Sequence, residues 1–204
     1  MAILVKTTSH KDDKNRWGTQ WQCFSDAVHL YGKPFVLDVC AEPETAKCYR
    51  FYVSPEWFSN NRLSQYGVHG HETFWLNPNR KIIGFDGLTC AWDNDWYCNP
   101  PFDRKREFLV KASEEAGAGK SGMMLLPYEP LTTWWLELVE DKATAVYTPD
   151  GRYNFLTPDG ETKKTGVNFG SVFVLFTPHK VKITQRIPFK RGCGAAQPAV
   201  EEAA

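Results

Sequence analysis

Apolar positions along this chain switch repeatedly between two spacings. From Gln20 to Leu30, the residues Trp21, Phe24, Ala27, Val28 and Leu30 recur at a helical interval, and Gly32 stands where such a helix would end. Pro34 to Ala41 is a short continuous apolar run, which predicts a buried strand passing into a loop. Cys48 to Val53 alternates weakly and predicts a second strand; Lys81 to Phe85 and Trp96 to Cys98 predict two more. A helix is expected from Arg104 to Ala116, with Asp103 as N-cap, Phe108, Leu109 and Ala112 on its apolar face, and Gly117 at its end. Then come a buried strand at Gly122 to Pro127 and a helix at Leu131 to Glu140 with Trp134, Trp135, Leu138 and Val139 turned inward. Strands at Ala143 to Tyr147 and Ser171 to Phe176 complete the pattern.

Strands alternating with helices predict an α/β fold, a doubly wound and mostly parallel sheet. The last two strands have no helical segment between them, so they are expected to pair as an antiparallel C-terminal edge. Residues 1–16 are polar and read as a flexible N-terminus, 17–191 as one domain, and 192–204 as a low-complexity, disordered tail. Within the domain, 54–79 is rich in Ser, Asn, Gly, Pro and aromatic residues and reads as a long loop or insertion; 148–169 is a Gly-, Asn- and Asp-rich connection. Ligands of doubly wound sheets sit beyond the carboxyl ends of the strands. Asp38, Asp86 and Asn99 each follow a predicted strand, which puts all three on one rim.

Composition narrows this picture. The 204 residues suit one domain with a substantial core, and 42% hydrophobic with 24% charged residues is an ordinary globular balance. No apolar run is long enough to span a membrane, and the four-residue apolar stretch near the N-terminus is too short for a signal peptide. A cytoplasmic location is expected. The six cysteines include no Cys-x-x-Cys pair and read as reduced, mostly buried thiols. His69-Gly70-His71 lacks further ligands, so no metal is expected. With 24 basic against 24 acidic residues, charge alone does not hold nucleic acid to this chain. His179 to Arg191 nevertheless carries five Lys or Arg and no acid. It reads first as a lysine-protected edge strand and second as a phosphate contact surface.

One stretch points to chemistry. Asp95-Trp96-Tyr97-Cys98 runs into Asn99-Pro100-Pro101-Phe102. The two prolines fix φ, remove two backbone donors and push the residue before each out of the α region. The result is a stiff, extended turn at a strand end. It holds an amide, a free carbonyl and an aromatic ring together. The Asn99 side-chain oxygen and the Pro100 carbonyl can both accept from an exocyclic NH₂, and Phe102 offers a face for stacking.

These four residues resemble the Asp/Asn-Pro-Pro-Tyr/Phe motif of amino-group methyltransferases. Further blocks in order resemble the phage-type DNA N6-adenine methyltransferase (Dam) family, from about Trp17 to Phe176. They are Phe35 to Ala41 with Ala46-Lys47-Cys48; Asp86-Gly87-Leu88 with Trp92; Leu125-Leu126-Pro127 with Trp134-Trp135; Gly151 to Phe155; and Gly170-Ser171-Val172. The resemblance implies a sheet of the Rossmann-like S-adenosylmethionine-dependent methyltransferase type, S-adenosylmethionine as methyl donor, and the N6 amine of a flipped DNA adenine as acceptor. It places Asn99, Pro100, Pro101 and Phe102 in the catalytic motif, and Thr19, Asp38, Ala41 and Asp86 at the cofactor. Thr19 stands where the family has Thr-Pro, but Gln20 follows it here. The motif ends in Phe rather than the commoner Tyr. Arg104, Lys105, Arg106, Arg152, Lys163 and Lys164 are candidates for DNA contact. Competing readings keep the motif and change the acceptor, to cytosine N4 or glutamine N5, or keep the fold without catalysis in a DNA-binding relative. The retained Asp38, Asp86 and Asn99 argue against the last.

Overall fold

The computed structural model describes residues 14–60, 74–77 and 80–196. In chain order its elements are β1 (Gly18–Thr19), α1 (Trp21–Tyr31), β2 (Leu37–Asp38), β3 (Arg50–Val53), α2 (Pro55–Asn60), β4 (Phe74–Asn77), β5 (Arg80–Phe85), β6 (Trp96–Cys98), α3 (Lys105–Gly117), β7 (Gly122–Pro127), α4 (Thr133–Leu138), β8 (Ala145–Pro149), β9 (Phe155–Leu156), β10 (Lys163–Lys164), β11 (Ser171–Phe176) and β12 (Gln185–Phe189). A short 3-10 helix at Cys193–Ala196 follows.

Nine strands form one mixed sheet in the order β12-β8-β11-β7-β6-β2-β3-β5-β4. The run from β7 through β6, β2 and β3 to β5 is parallel throughout. Its carboxyl ends therefore share one rim. Side chains alternate across the sheet with the strand period of two. Tyr97, Met123, Leu125 and Phe173 pack with Cys23, Phe24 and Ala27 of α1 on one face. Trp96, Cys98, Met124, Leu126, Val172 and Val174 pack with Phe108, Leu109 and Ala112 of α3 and the two tryptophans of α4 on the other. Covering both faces explains why the central strands read as unbroken apolar runs rather than alternating ones.

The two strands expected as an antiparallel C-terminal edge, β8 and β11, do pair antiparallel, but neither is the edge. β11 is antiparallel to both β7 and β8 and lies between them, inside the sheet. Its sequence, SVFVLF, is buried at five of six positions, which an edge would leave wet on one side. The edge is β12, parallel to β8 and mostly exposed. Pro188 is tolerated there because an edge strand has an outward N–H side with no ladder to complete. The other edge, β4, is antiparallel to β5.

Several boundaries also shift. Asp103 is not the N-cap of α3; Arg104 holds that position without a side-chain cap. Gly117 lies within α3, and the left-handed turn falls at Gly119. The strand expected over 34–41 contracts to Leu37–Asp38, and the helix expected over 131–140 to Thr133–Leu138. The 148–169 connection holds β9 and β10, which join β1 in a small antiparallel sheet. The 54–79 segment contributes α2 and β4, while His69 and His71 lie outside the described residues. Among the described residues no helix is long and apolar enough to cross a membrane.

The C-terminal segment is anchored through Ala196 rather than leaving the domain at Gly192. Asp26, fully buried in α1, accepts the Tyr153 hydroxyl at 2.6 Å and the backbone N–H groups of Gly192 and Gly194 at 2.8 Å each. One carboxylate thus joins α1, the β8–β9 connection and the segment after β12. Removing it strands three donors. Asp26→Ala is expected to cost about 3 kcal/mol or more in urea denaturation. A change below about 0.5 kcal/mol would show that the donors find other partners.

Candidate active site

A cleft of about 800 Å³ opens at the rim of the parallel strands. Three strand ends build its floor. Val39, Cys40 and Ala41 follow β2, Val53 to Trp57 end β3 and begin α2, and Asp86-Gly87 follow β5. Asn99 and Pro101, after β6, close one side together with Asp103, Arg104 and Phe108. A side chain on Gly87 would collide with the Val39 carbonyl oxygen, so only glycine lets these two loops meet. Asp86 adopts a left-handed φ of 54°, and its Oδ1 accepts the Leu88 N–H at 3.2 Å. It is a turn residue and a cleft residue at once.

Asn99 is held in a specific orientation. Its Nδ2 donates to the Trp17 carbonyl at 2.9 Å. A carbonyl can only be faced by a donor, so the amide cannot rotate and Oδ1 is left without a protein donor among the described residues. The Pro101 carbonyl accepts the Arg104 N–H at 3.1 Å, whereas the Pro100 carbonyl has no protein donor among them. The turn therefore offers two free acceptors from consecutive residues. Phe102 is half-buried; Trp17 and Phe169 meet it edge to face at 5.9 and 5.1 Å between ring centroids.

The N-terminal segment straps the cleft. Asn15 exchanges hydrogen bonds with Asp103, donating from Nδ2 to the carboxylate at 2.8 Å and accepting the Asp103 N–H at 3.3 Å. Arg16 forms a two-pronged pair with Glu42 at 2.8 and 2.7 Å. The Asn99–Phe102 turn with the adjoining Asp103 and the loop after β2 are thus tied to the same three residues, Asn15 to Trp17. The turn joining β9 to β10 closes the other side, with Pro158 and Asp159 lining the cleft. Its Gly160, at φ 76°, passes so close to the Glu44 carbonyl that a Cβ would not fit.

Of the residues singled out from the sequence, Ala41, Asp86, Asn99 and Pro101 line the cleft together. Pro100, next to Asn99, is buried and Phe102 lies beside the cleft, in an aromatic cluster with Trp17, Phe155 and Phe169. Thr19 and Asp38 are buried below the cleft surface. Thr19 Oγ1 pairs with the Tyr97 hydroxyl at 2.9 Å. Asp38 accepts the backbone N–H of Lys47 at 3.0 Å and that of Cys40 at 3.4 Å, so it pins both ends of the loop that forms the cleft wall. Sequence reasoning passed over Arg16, Trp17, Glu42, Glu56 and the Pro158-Asp159 tip. Glu56 follows β3 directly, and the strand-end logic that found Asp38 and Asp86 applies to it as well. Pro158-Asp159-Gly160 carries a clear turn signal, but nothing local says where the turn will lie.

A family profile described as DNA N-6-adenine-methyltransferase (Dam) matches residues 6–82 and 84–190. The chain belongs to this Dam family. The match spans the cleft, the strap and every strand of both sheets. Among relatives, a DNA N-6-adenine-methyltransferase of Haemophilus phage HP1 (strain HP1c1) is 25% identical over 179 residues, covering 86% of this chain and 86% of the relative. Another of the same description, from Escherichia phage T1, is 27% identical over 199 residues, covering 88% of this chain and 71% of the relative. Against this Dam background the buried Asp38 acts on the cleft from beneath, through the loop it pins.

Burial pushes the Asp38 carboxyl up to about 6, with the Lys47 and Cys40 N–H groups opposing that rise. A folded pKa above the unfolded value means the folded state binds the proton more tightly. The stability Asp38 contributes is then fully present below about pH 4 and is lost as pH rises through about 6. Asp38→Asn lacks this slope. Between pH 5 and pH 8 it should gain roughly 1–2 kcal/mol relative to the parent protein in urea denaturation. Parallel pH profiles for the two proteins would contradict this placement of the charge.

Proposed function

We propose that the chain transfers a methyl group from S-adenosylmethionine to the N6 amine of adenine in DNA, with the target base turned out of the duplex into the cleft. The observation that carries this reading is the pair of adjacent free acceptors, Asn99 Oδ1 and the Pro100 carbonyl. An exocyclic amine presents two hydrogens, and two acceptors from neighbouring residues match them. Family membership points to the same acceptor atom.

The residues present suit the donor. Val39, Ala41, Val53 and Phe108 give apolar walls for a flat ring, and Asp86 places a carboxylate at the end of that slot to accept from a ring amine. Glu42 and Glu56 add acceptors for hydroxyl and ammonium groups along the same wall. When bound, S-adenosylmethionine supplies a methyl group already activated on a sulfonium. The strand order, with β11 set antiparallel between two strands of the opposite direction, supports a sheet of the Rossmann-like methyltransferase type.

The protein's task is then mainly positioning and charge compensation. The N6 lone pair is delocalised into the adenine ring. Accepting both amine hydrogens at Asn99 and Pro100 favours a pyramidal nitrogen and frees that pair. The same two oxygens offset the positive charge that builds on nitrogen as the new bond forms. The strap holds Asn99 in the accepting orientation, and Phe102, its plane fixed by Trp17 and Phe169, provides the stacking surface for the base. The amine of a paired adenine is engaged within the duplex, so a concave site requires the base to leave the stack. DNA as substrate also places the reaction in the cytoplasm, of a host cell where the gene is phage-borne.

Asn99→Ala is expected to lower methyl transfer by a factor on the order of 10²–10³ while leaving cofactor affinity near that of the parent. Labelled methyl incorporation into DNA and calorimetry with S-adenosylmethionine measure the two effects. Mass spectrometry of nucleosides from DNA treated with the parent should show N6-methyladenine. N4-methylcytosine instead would overturn the choice of base.

A further inference from the structure

A second, smaller cavity of about 300 Å³ lies beside the cleft and is lined almost entirely by polar side chains. Four separate stretches of chain build it: Gln20 and Gln22 at the start of α1, Arg152 and Asn154 between β8 and β9, Lys163 of β10, and Arg191 after β12. β8 and β12 are parallel, and the residues after both emerge together. β8 also runs opposite to β11, as β7 does, so this end of the sheet is the rim that carries Asn99.

We propose that this notch seats a phosphodiester of the DNA strand beside the target base, a proposal that rests on the DNA reading given above. The charge balance supports an anion. The one acid in the lining, Asp150, is committed to Arg191: its Oδ1 accepts the Arg191 N–H at 3.1 Å and Nε at 3.0 Å. Arg191 is further fixed by donating to the Arg152 carbonyl at 2.6 Å. Arg152 and Lys163 are exposed, and among the described residues neither has a carboxylate partner. Two uncompensated cations therefore flank a pocket to which three amide side chains can add N–H donors. Phosphate oxygens accept and do not donate, so this inventory suits them.

The spacing fits one continuous strand of nucleic acid. Trp17 lines the cleft, Gln20 lines the notch, and the chain between them is extended through β1. Three residues at about 3.3 Å each put about 10 Å of chain between these two lining residues. Successive phosphates of one strand advance about 3.4 Å along the helix axis and lie farther apart along the winding strand, so a span of that size is reached within a few nucleotides. The small sheet also links the sites rigidly. The tip joining β9 to β10 lines the cleft at Pro158-Asp159, while Lys163 on β10 lines the notch. Holding a phosphate here would fix the register of the strand relative to Asn99 without reading a base.

The test measures DNA binding by the full chain with S-adenosylhomocysteine present, across a salt series and on two duplexes of unrelated sequence. The double variant Arg152→Ala, Lys163→Ala should bind both duplexes about tenfold or more weakly. Its slope of log affinity against log salt should be shallower by about two. Affinity for S-adenosylhomocysteine, measured by calorimetry, should match the parent and show an intact fold. Lys163→Arg, which keeps the charge, should retain the parent slope. An unchanged affinity and slope in the double variant would overturn the proposal, as would a loss confined to one of the two sequences. Failure of the underlying DNA reading looks different: the parent itself would bind neither duplex with a salt-dependent affinity.

Discussion

The hydrogen bond from Asn99 Nδ2 to the Trp17 carbonyl is the constraint from which the rest of the site follows. A single such bond is worth about 1 kcal/mol net, which is little in a domain of this size. Its effect is directional. It commits the amide nitrogen to the protein and leaves the oxygen for the cleft, beside a second carbonyl that proline geometry also leaves free. It makes the Asn99 turn depend on a segment more than 80 positions earlier, because the same few residues hold Asp103 through Asn15 and Glu42 through Arg16. The cleft is therefore a ring of mutual supports rather than a row of independent side chains.

Beneath that ring the sheet provides stiffness. β2 and β6 are adjacent and parallel, so the loops carrying Ala41 and Asn99 leave from neighbouring points. Asp38 pins the first loop from inside, and Gly87 lets the loop after β5 lie directly on it. Aromatic residues fill both layers, with Trp92, Trp96, Trp135 and Tyr97 all but fully buried. This accounts for the high aromatic content better than base stacking does. Most of these rings form the bed on which the site is built; Trp17, Tyr52, Trp57 and Phe108 line the cleft, and Phe102 lies beside it.

How much of this could be read from the residues depended on how local the cause was. β6, β7 and β11 were legible to the residue because an uninterrupted apolar run bounded by turn residues has one interpretation in a two-sided sheet. The place of β11 was not legible, since nothing within Ser171 to Phe176 encodes which strands lie on either side. β9 and β10 are two residues each and leave no periodicity to detect. Asp103 has the chemistry of an N-cap, but a competing partner, Asn15, took its carboxylate. In the site, Asn99 and Asp86 were found from strand ends and motif chemistry. Asn15 to Trp17 were missed because their role is set entirely by what they touch. Asp38 was found as a residue of the site, but its contact is with the loop and not with the open cleft. That distinction needs burial, which a sequence does not give.

The position of β11 has a further consequence, for the order in which the protein can be assembled. Residues 171–176 are synthesised after both of the strands they lie between, β7 and β8. Until they arrive, β8 has no neighbour through which to join the main sheet, and β12, later still in the chain, pairs only with β8. The central parallel strands and the floor of the cleft can form on an incomplete chain. The half of the rim beyond β7 cannot. A growing polypeptide would therefore carry a recognisable cleft for some time before the surface beside it exists, and the two would become one working face in a single late step.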